Sequence, residues 1–272
     1  ISLHMWQDAE HSTWFRTRVT EMRTPPHHLD KSPDPALETL VQELRASANT
    51  LEFLTGIYAV LKPAFVAAFT DHFAQSHPLT DHPTQRLVKM VIEEEREQIT
   101  WGEQALAALT RAAEDRVSAD SLNAWRDHLK AYLAAAGGLH GEAERVSADS
   151  LPAARANETS THISQVPQRD ERFPEVWRSR GVVPTEEQPV HERIWWMMNV
   201  RLQEMHVSEL IASVIADWRD QPWEFYHDLS RHLWDETRHC MLGEVAFASQ
   251  GVDFTKIPSH IGFAEFPHSL RT

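Results

Sequence analysis

A carboxylate and an imidazole lie three residues apart in the stretch LWDETRHCMLGE, which covers residues 233–244. Glu236 and His239 share one face of a helix, because residues i and i+3 are neighbours on a helix surface. Both side chains ligate metals, but Glu-x-x-His alone proves little in a chain with 40 acidic residues and 17 histidines. The pattern becomes informative only if other segments of the chain supply matching ligands.

A second segment repeats much of this pattern. The stretch EEREQITWGE at 94–103 aligns with DETRHCMLGE at 235–244, so that Glu95 matches Glu236 and Gln98 matches His239. Each segment then carries a glycine one turn further on, which leaves space for a neighbouring helix. The alignment predicts two helices that each point a ligand pair at one centre.

The helix before Glu236 offers one further carboxylate. Glu204 lies on an otherwise inward stripe, and a buried charge is costly unless it is paired or bound to a metal. It precedes Glu236 by 32 residues, a natural distance for two antiparallel helices joined by a short turn. Glu209 is the competing candidate, but its spacing of 27 residues fits less well.

The helix before Glu95 offers Glu52, and Glu43 is the weaker alternative. Glu52 lies among small residues that predict a groove for a ligand or substrate: Ala48, Gly56 and Ala59.

Four long helical patterns position these ligands. They cover residues 36–73 with a kink near Pro63, then 85–113, 191–218 and 222–250. Residues 1–35 form an N-terminal lead-in, 114–190 a long crossover with one further helix, and 251–272 an irregular tail. Two hairpins joined by a crossover predict an all-α four-helix bundle over residues 36–250.

These motifs resemble the ferritin-like di-iron and di-manganese carboxylate superfamily. That pattern is a Glu from each of two helices and Glu-x-x-His from each of the other two. The resemblance implies metal ligation by the matching positions here: Glu52, Glu95, Glu204, Glu236 and His239. Gln98 departs from the pattern, and its amide oxygen binds Fe(II) or Mn(II) less well than imidazole does. We therefore expect iron, as either two ions of uneven occupancy or a single ion, with manganese as the alternative.

The resemblance implies an oxidoreductase that uses O2 or peroxide on a small organic substrate, without assigning catalytic residues. The alternative is a ferritin-like binding or assembly protein with a degenerate or single-metal site. A zinc hydrolase ranks lower, because such sites use more histidines. His232, one turn before Glu236, reads as a core histidine, a further ligand or a proton carrier. Asp235 reads as a residue that orients a ligand or as an exposed charge.

Composition narrows the class of protein. A net charge of −14 without a basic stripe argues against nucleic-acid binding. No run of 18 apolar residues and no signal-like start occur, so we expect no membrane partner. The single cysteine fits a reducing compartment, which predicts a cytoplasmic protein. A homodimer remains open.

Overall fold

The computed structural model describes residues 1–25, 29–31, 34–112, 117–155, 172–176 and 183–260. The chain divides into two compact units, residues 11–162 and residues 1–10 together with 163–272. The regular secondary structure of the described residues is α-helical apart from short 3₁₀ and π turns and one pair of two-residue strands. The all-α class predicted from the sequence is confirmed at this level. Helix α1, Ser2–Glu21, occupies most of the N-terminal lead-in.

In the unit of residues 11–162, the described residues form five further α-helices. They are α2 (Pro35–Arg45), α3 (Thr50–Gly56), α4 (Lys62–Gln75), α5 (His82–Ala112) and α6 (Ala119–Ala135). Helices α4 and α5 pack as a hairpin, and α3 also contacts α5. This pairing is the first hairpin that the sequence predicts.

The single helix predicted over residues 36–73 is interrupted. Helix α2 stops at Arg45, and the Asn49 side chain caps a new helix by accepting from the amide of Glu52. A π-helical turn at Ile57–Leu61 then leads into α4, so the irregularity lies just before the kink expected at Pro63. The cap explains the break, because an Asn oxygen satisfies an amide that the first helical turn leaves free.

Helix α6 belongs to the core of this unit, although the sequence placed it in the crossover. It packs against α2 and α3. A buried cluster joins α2, the π-helical turn Ile57–Leu61 and α6: Leu40, Leu44, Val60, Trp125, Leu129 and Tyr132. A Cβ on Gly56 would lie within 2.2 Å of Leu44 and 2.8 Å of Leu129. The groove predicted beside Glu52 is therefore wrong at Gly56, because leucine side chains fill that space.

The other unit is built on α7 (Val190–Gln203), α8 (Met205–Asp217) and α9 (Trp223–Ser249). Both α7 and α8 pack against α9, as expected for the second hairpin. The helix predicted over 191–218 is interrupted at Glu204. There the amide of Glu204 bonds to Arg201 O and the amide of Val207 bonds to Glu204 O, each a tighter i to i−3 contact.

Two short strands, β1 (Glu175–Val176) and β2 (Ser259–His260), pair in parallel within this unit. They lie beside a buried cluster of Phe173, Leu202, Cys240 and Phe247. The start of the predicted tail packs on this cluster through Val252, Phe254 and Ile257. Residues 261–272 of the tail, and residues 113–116, 156–171 and 177–182 of the crossover, lie outside the described residues.

Among the described residues, one helical stretch is long and apolar enough to cross a membrane by length and composition alone. It runs over Thr50–Gln75, with a hydropathy of 1.5 over its most apolar window, a third of which is buried. This stretch contains no run of 18 consecutive apolar residues, so the sequence did not predict it as a membrane span. A core helix passes the same test, so the expected absence of a membrane partner stays a prediction.

Candidate metal centre

Three of the predicted ligands meet in the α7–α9 unit. One ligand atom from each of Glu204, Glu236 and His239 lies within 4.8 Å of the other two. His239 Nδ1 is 3.4 Å from Glu204 Oε2 and 3.7 Å from Glu236 Oε2. We call this group the candidate metal centre. It contains the Glu-x-x-His pair of α9 and the carboxylate expected from the preceding helix.

The spacing of these atoms suits a shared ion. Ligands about 2.0–2.2 Å from one metal lie about 3–3.5 Å from each other. His239 Nδ1 is buried and makes no hydrogen bond to any described residue, because its carboxylate neighbours lie too far away or at poor angles. A buried ring nitrogen without a partner is unfavourable. A cation between the imidazole and the two carboxylates would satisfy all three groups.

Each carboxylate of the centre is also held by a residue on its own helical segment. Arg201 Nη1 donates to Glu204 Oε1 at 2.8 Å and to Oε2 at 3.0 Å. His232 Nε2 lies 3.1 Å from Glu236 Oε1. The His232 side chain is 54% exposed, so the interpretation of this residue as a core histidine is wrong.

Close packing of two helices brings the ligands together. A Cβ on Gly243 would lie 2.4 Å from the backbone nitrogen of Leu202, so only a glycine lets α9 approach α7 here. This contact confirms the expectation that the glycine makes room for a neighbouring helix. Gly102 does the same in α5, where a Cβ would meet the Tyr58 ring at 2.2 Å.

The neighbouring candidates lie outside the candidate metal centre. Glu209 Oε2 lies 3.7 Å from His206 Nδ1, is buried and makes no hydrogen bond to a described residue. His206 Nε2 lies 3.0 Å from Ser259 Oγ, so it holds the start of β2. Asp235 pairs with Arg238 at 2.6 Å. Asp235 thus fits the exposed-charge interpretation better than that of a residue orienting a ligand.

Cys240 is a packing residue. It is buried in the cluster with Leu202 and Phe247. Burial, aided by the charge of Glu244, raises the pKa of the Cys240 thiol to about 12. The thiol therefore stays protonated at neutral pH, which makes it a poor competitor for the metal.

Glu95, a predicted metal ligand, lies in the unit of residues 11–162 and is paired there with a lysine side chain. Lys62 Nζ lies 3.0 and 3.3 Å from its two oxygens, and His11 Nδ1 lies 3.5 Å from Oε1. Burial alone would raise the pKa of Glu95, but His11 and Lys62 outweigh burial and hold the pKa below its ordinary value. Gln98 is buried on the same helix, with 1% of its surface exposed.

Glu52 also has a basic partner. Its Oε2 accepts from Arg155 Nη2 at 3.1 Å and from the amide of Ala48 at 2.8 Å. The alternative, Glu43, is fully buried and accepts from the amide of Arg155 at 2.8 Å, with His128 Nε2 at 2.7 Å. The structure therefore gives both carboxylates hydrogen-bonded partners within residues 11–162.

Sequence reasoning missed the four basic residues beside the predicted ligands: Lys62, Arg155, Arg201 and His11. The sequence could have identified Arg201, because it lies three residues before Glu204 and such pairs meet on one helix face. Lys62 and Arg155 lie 33 and 103 residues from their carboxylates, and no local spacing announces such pairs.

Searches against protein-family models, curated proteins and solved structures found no match to this chain.

Proposed function

We propose that this protein binds Fe(II) or Mn(II) through Glu204, Glu236 and His239, and that it oxidises a small organic substrate with O2 or peroxide. One observation carries the proposal. The imidazole nitrogen of His239 lies buried, without a hydrogen bond to the described residues, 3.4 and 3.7 Å from two carboxylates. Two carboxylates and one imidazole form a donor set that suits these metals.

A bound iron or manganese ion would supply one-electron chemistry towards O2 or peroxide. The chain's own residues hold the ligands in place. His232 holds one oxygen of Glu236, and the other oxygen faces His239. Such neighbours fix the orientation of ligands and tune how strongly they donate. The neutral, buried thiol of Cys240 stays out of the ligand set.

The ferritin-like bundle belongs to this proposal. Each unit supplies one hairpin of the predicted pair, α4–α5 and α7/α8–α9. However, Lys62 and Arg155 already neutralise Glu95 and Glu52. These ion pairs favour one metal per chain over the two ions that the full ligand pattern implies.

The same ion pairs favour a second candidate function, a binding or assembly protein that keeps a single metal for structure. A buried carboxylate paired with lysine or arginine has its charge compensated and needs no metal for that. In that case the candidate metal centre would hold α9 against the α7–α8 break and would do no redox chemistry.

Anaerobic loading with Fe(II), followed by removal of free metal and elemental analysis, tests the proposal. We expect about one iron per chain in the wild type and a loss of most of it in Glu236→Gln and His239→Gln. Glu209→Gln is the matched control, because it removes a carboxylate from α8 outside the candidate metal centre. Its iron content should equal that of the wild type.

Exposure of the loaded protein to O2 separates the two functions. An oxidoreductase should consume O2 and change its iron absorption spectrum, whereas Glu236→Gln should do neither. Bound iron that does not react with O2 supports the structural role instead. A wild-type chain that retains no iron and no manganese rules out both functions.

A further inference from the structure

The two carboxylates of the candidate metal centre differ in how free they are to accept a cation. Arg201 Nη1 donates to both oxygens of Glu204, at 2.8 and 3.0 Å. His232 engages only Oε1 of Glu236, and Oε2 of Glu236 faces His239 at 3.7 Å. Glu236 therefore keeps one oxygen for a metal, whereas Glu204 has both oxygens occupied.

One oxygen of Glu204 lies within reach of both Arg201 and a metal bound beside His239. Glu204 Oε2 lies 3.0 Å from Arg201 Nη1 and 3.4 Å from His239 Nδ1. A metal bound between Glu204 and His239 would need this oxygen or its partner Oε1, which also accepts from Arg201. The ion and the guanidinium would thus compete for the same carboxylate.

We propose that Arg201 competes with the metal ion for Glu204 and thereby sets the metal affinity of the centre. This inference rests on the proposed metal binding at Glu204, Glu236 and His239. Arg201 is a positioning residue, since it acts on the centre through Glu204. It keeps Glu204 neutralised before metal arrives and makes metal release easier afterwards.

The chemistry of the arginine side chain indicates that Arg201 competes with the metal for Glu204 and does not merely hold this carboxylate in place. A guanidinium keeps its positive charge throughout the physiological pH range. A metal ion entering beside it would be repelled at short range, unless the guanidinium turned away. The Arg201 side chain is 38% exposed, so water can solvate the guanidinium once it leaves. The pair is local, because Arg201 and Glu204 lie three residues apart in the chain.

The irregular backbone at Glu204 gives the carboxylate room to change partner. Glu204 lies between α7 and α8, where the backbone makes tighter i to i−3 bonds. Residues at such junctions absorb small backbone changes more readily than residues inside a regular helix. A modest shift would turn Glu204 from Arg201 towards His239.

Titration of the metal-free protein with Mn(II) tests the competition, with the signal of free Mn(II) followed by electron paramagnetic resonance. Arg201→Met keeps most of the aliphatic stem and removes the donor. We expect it to lower the dissociation constant about tenfold, equivalent to about 1.4 kcal/mol, because the guanidinium no longer competes for the carboxylate. Circular dichroism should show unchanged helix content.

Two further variants separate competition from a general charge effect. Arg238→Met removes the same charge from α9, where Arg238 pairs with Asp235 instead of a ligand. It should change the dissociation constant by less than about twofold, as exposed pairs contribute little. In a Glu204→Gln background, Arg201→Met should no longer tighten binding, because the shared carboxylate is gone.

The outcomes divide cleanly. Tighter Mn(II) binding in Arg201→Met than in the wild type, without a similar gain in Arg238→Met, supports the inference. Equal or weaker binding in Arg201→Met, or an equal gain in Arg238→Met, overturns the inference and leaves the metal site standing. An absence of Mn(II) binding in the wild type and in every variant overturns the proposed function together with the inference.

Discussion

The ligand residues differ most in what already surrounds them. Glu236 and His239 face each other with one oxygen and one nitrogen still available, at 3.7 Å. Glu95 has Lys62 at 3.0 Å, and Glu52 has Arg155 at 3.1 Å. A metal that binds Glu236 and His239 gains ligands at little cost. A metal that binds Glu95 or Glu52 must displace a buried or half-buried basic side chain.

Cys240 gives a prediction at the same scale. Its pKa is raised to about 12, first by burial and then by Glu244. Since only the thiolate attacks disulfide reagents, we expect the native protein to react with a chromogenic aromatic disulfide at pH 8 at well under a hundredth of the rate in urea. The absorbance of the released thiol measures both rates. A native rate close to the unfolded rate would contradict the burial of this side chain.

Helix packing, at the scale of elements, sets the geometry of the centre. Gly243 lets α9 approach the backbone of α7 at Leu202, two residues before Glu204. Alanine would favour the helix by about 0.5–1 kcal/mol if space allowed. Here its Cβ would lie 2.4 Å from a backbone atom that cannot turn aside.

We therefore expect Gly243→Ala to lower the free energy of unfolding by about 1–3 kcal/mol, the usual cost of overpacking. It should also weaken Mn(II) binding, because α9 carries Glu236 and His239. Urea denaturation and metal titration measure the two effects. Leu242→Ala, at an adjacent position that is 59% exposed, should change stability by less than about 0.5 kcal/mol. A neutral Gly243→Ala would show that α7 and α9 lie further apart.

The ion pairs of α1, α4 and α5 predict how stability depends on pH. Burial would lower the pKa of His11, but hydrogen bonds to Glu95 and Glu94 and their charges outweigh burial and raise it. The pKa of Glu95 is lowered by His11 and Lys62 against the effect of burial. Because its pKa is lowered, Glu95 stabilises the folded state fully above its ordinary pKa of 4.5. Because its pKa is raised, His11 stabilises the folded state fully below its ordinary pKa of 6.5.

The cost of His11→Gln should therefore be greatest between these two values, at about 1.5–3 kcal/mol for the lost charged hydrogen bonds. It should shrink as the pH falls through the lowered pKa of Glu95 or rises through the raised pKa of His11. Urea denaturation monitored by circular dichroism from pH 4 to 9 measures this profile. His72→Gln, at an exposed position of the same unit, should give a flat and small difference. A flat profile for His11→Gln would mean that the three groups do not interact.

The sequence predicts the helices better than their interruptions and pairings. Apolar periodicity located the α4–α5 and α7/α8–α9 hairpins, and Gly102 and Gly243 marked close contacts that the structure confirms. The break at Glu204 lies in RLQEMHV, which has no proline, glycine or Asn/Asp/Ser/Thr cap, so local propensity gives no warning. The pairing of Glu52 with Arg155 depends on packing α6 and residues 152–155 against α2 and α3, which spacing along one helix cannot show.

The whole molecule carries a net charge of −14, and this charge attracts divalent cations weakly over the whole surface. Measurements of bound metal therefore need a variant that keeps the charge distribution while losing the centre. Glu236→Gln neutralises one of the 40 acidic residues and removes a ligand of the candidate metal centre. It separates specific binding from the general attraction.

Hydrogen exchange can show which segments of the chain respond to the metal. A ligand that binds only the folded state slows the opening of the segments that hold it. With saturating Mn(II), we expect slower amide exchange around the α7–α8 break and the middle of α9, and unchanged exchange around Glu52 and Glu95. Their cations, Arg155 and Lys62, remain in place in this case. Glu236→Gln with the same Mn(II) concentration should show no slowing anywhere. Slower exchange around Glu52 and Glu95 as well would mean that both carboxylates give up these cations for metal, as the ligand pattern of the sequence predicts, and that two ions bind per chain.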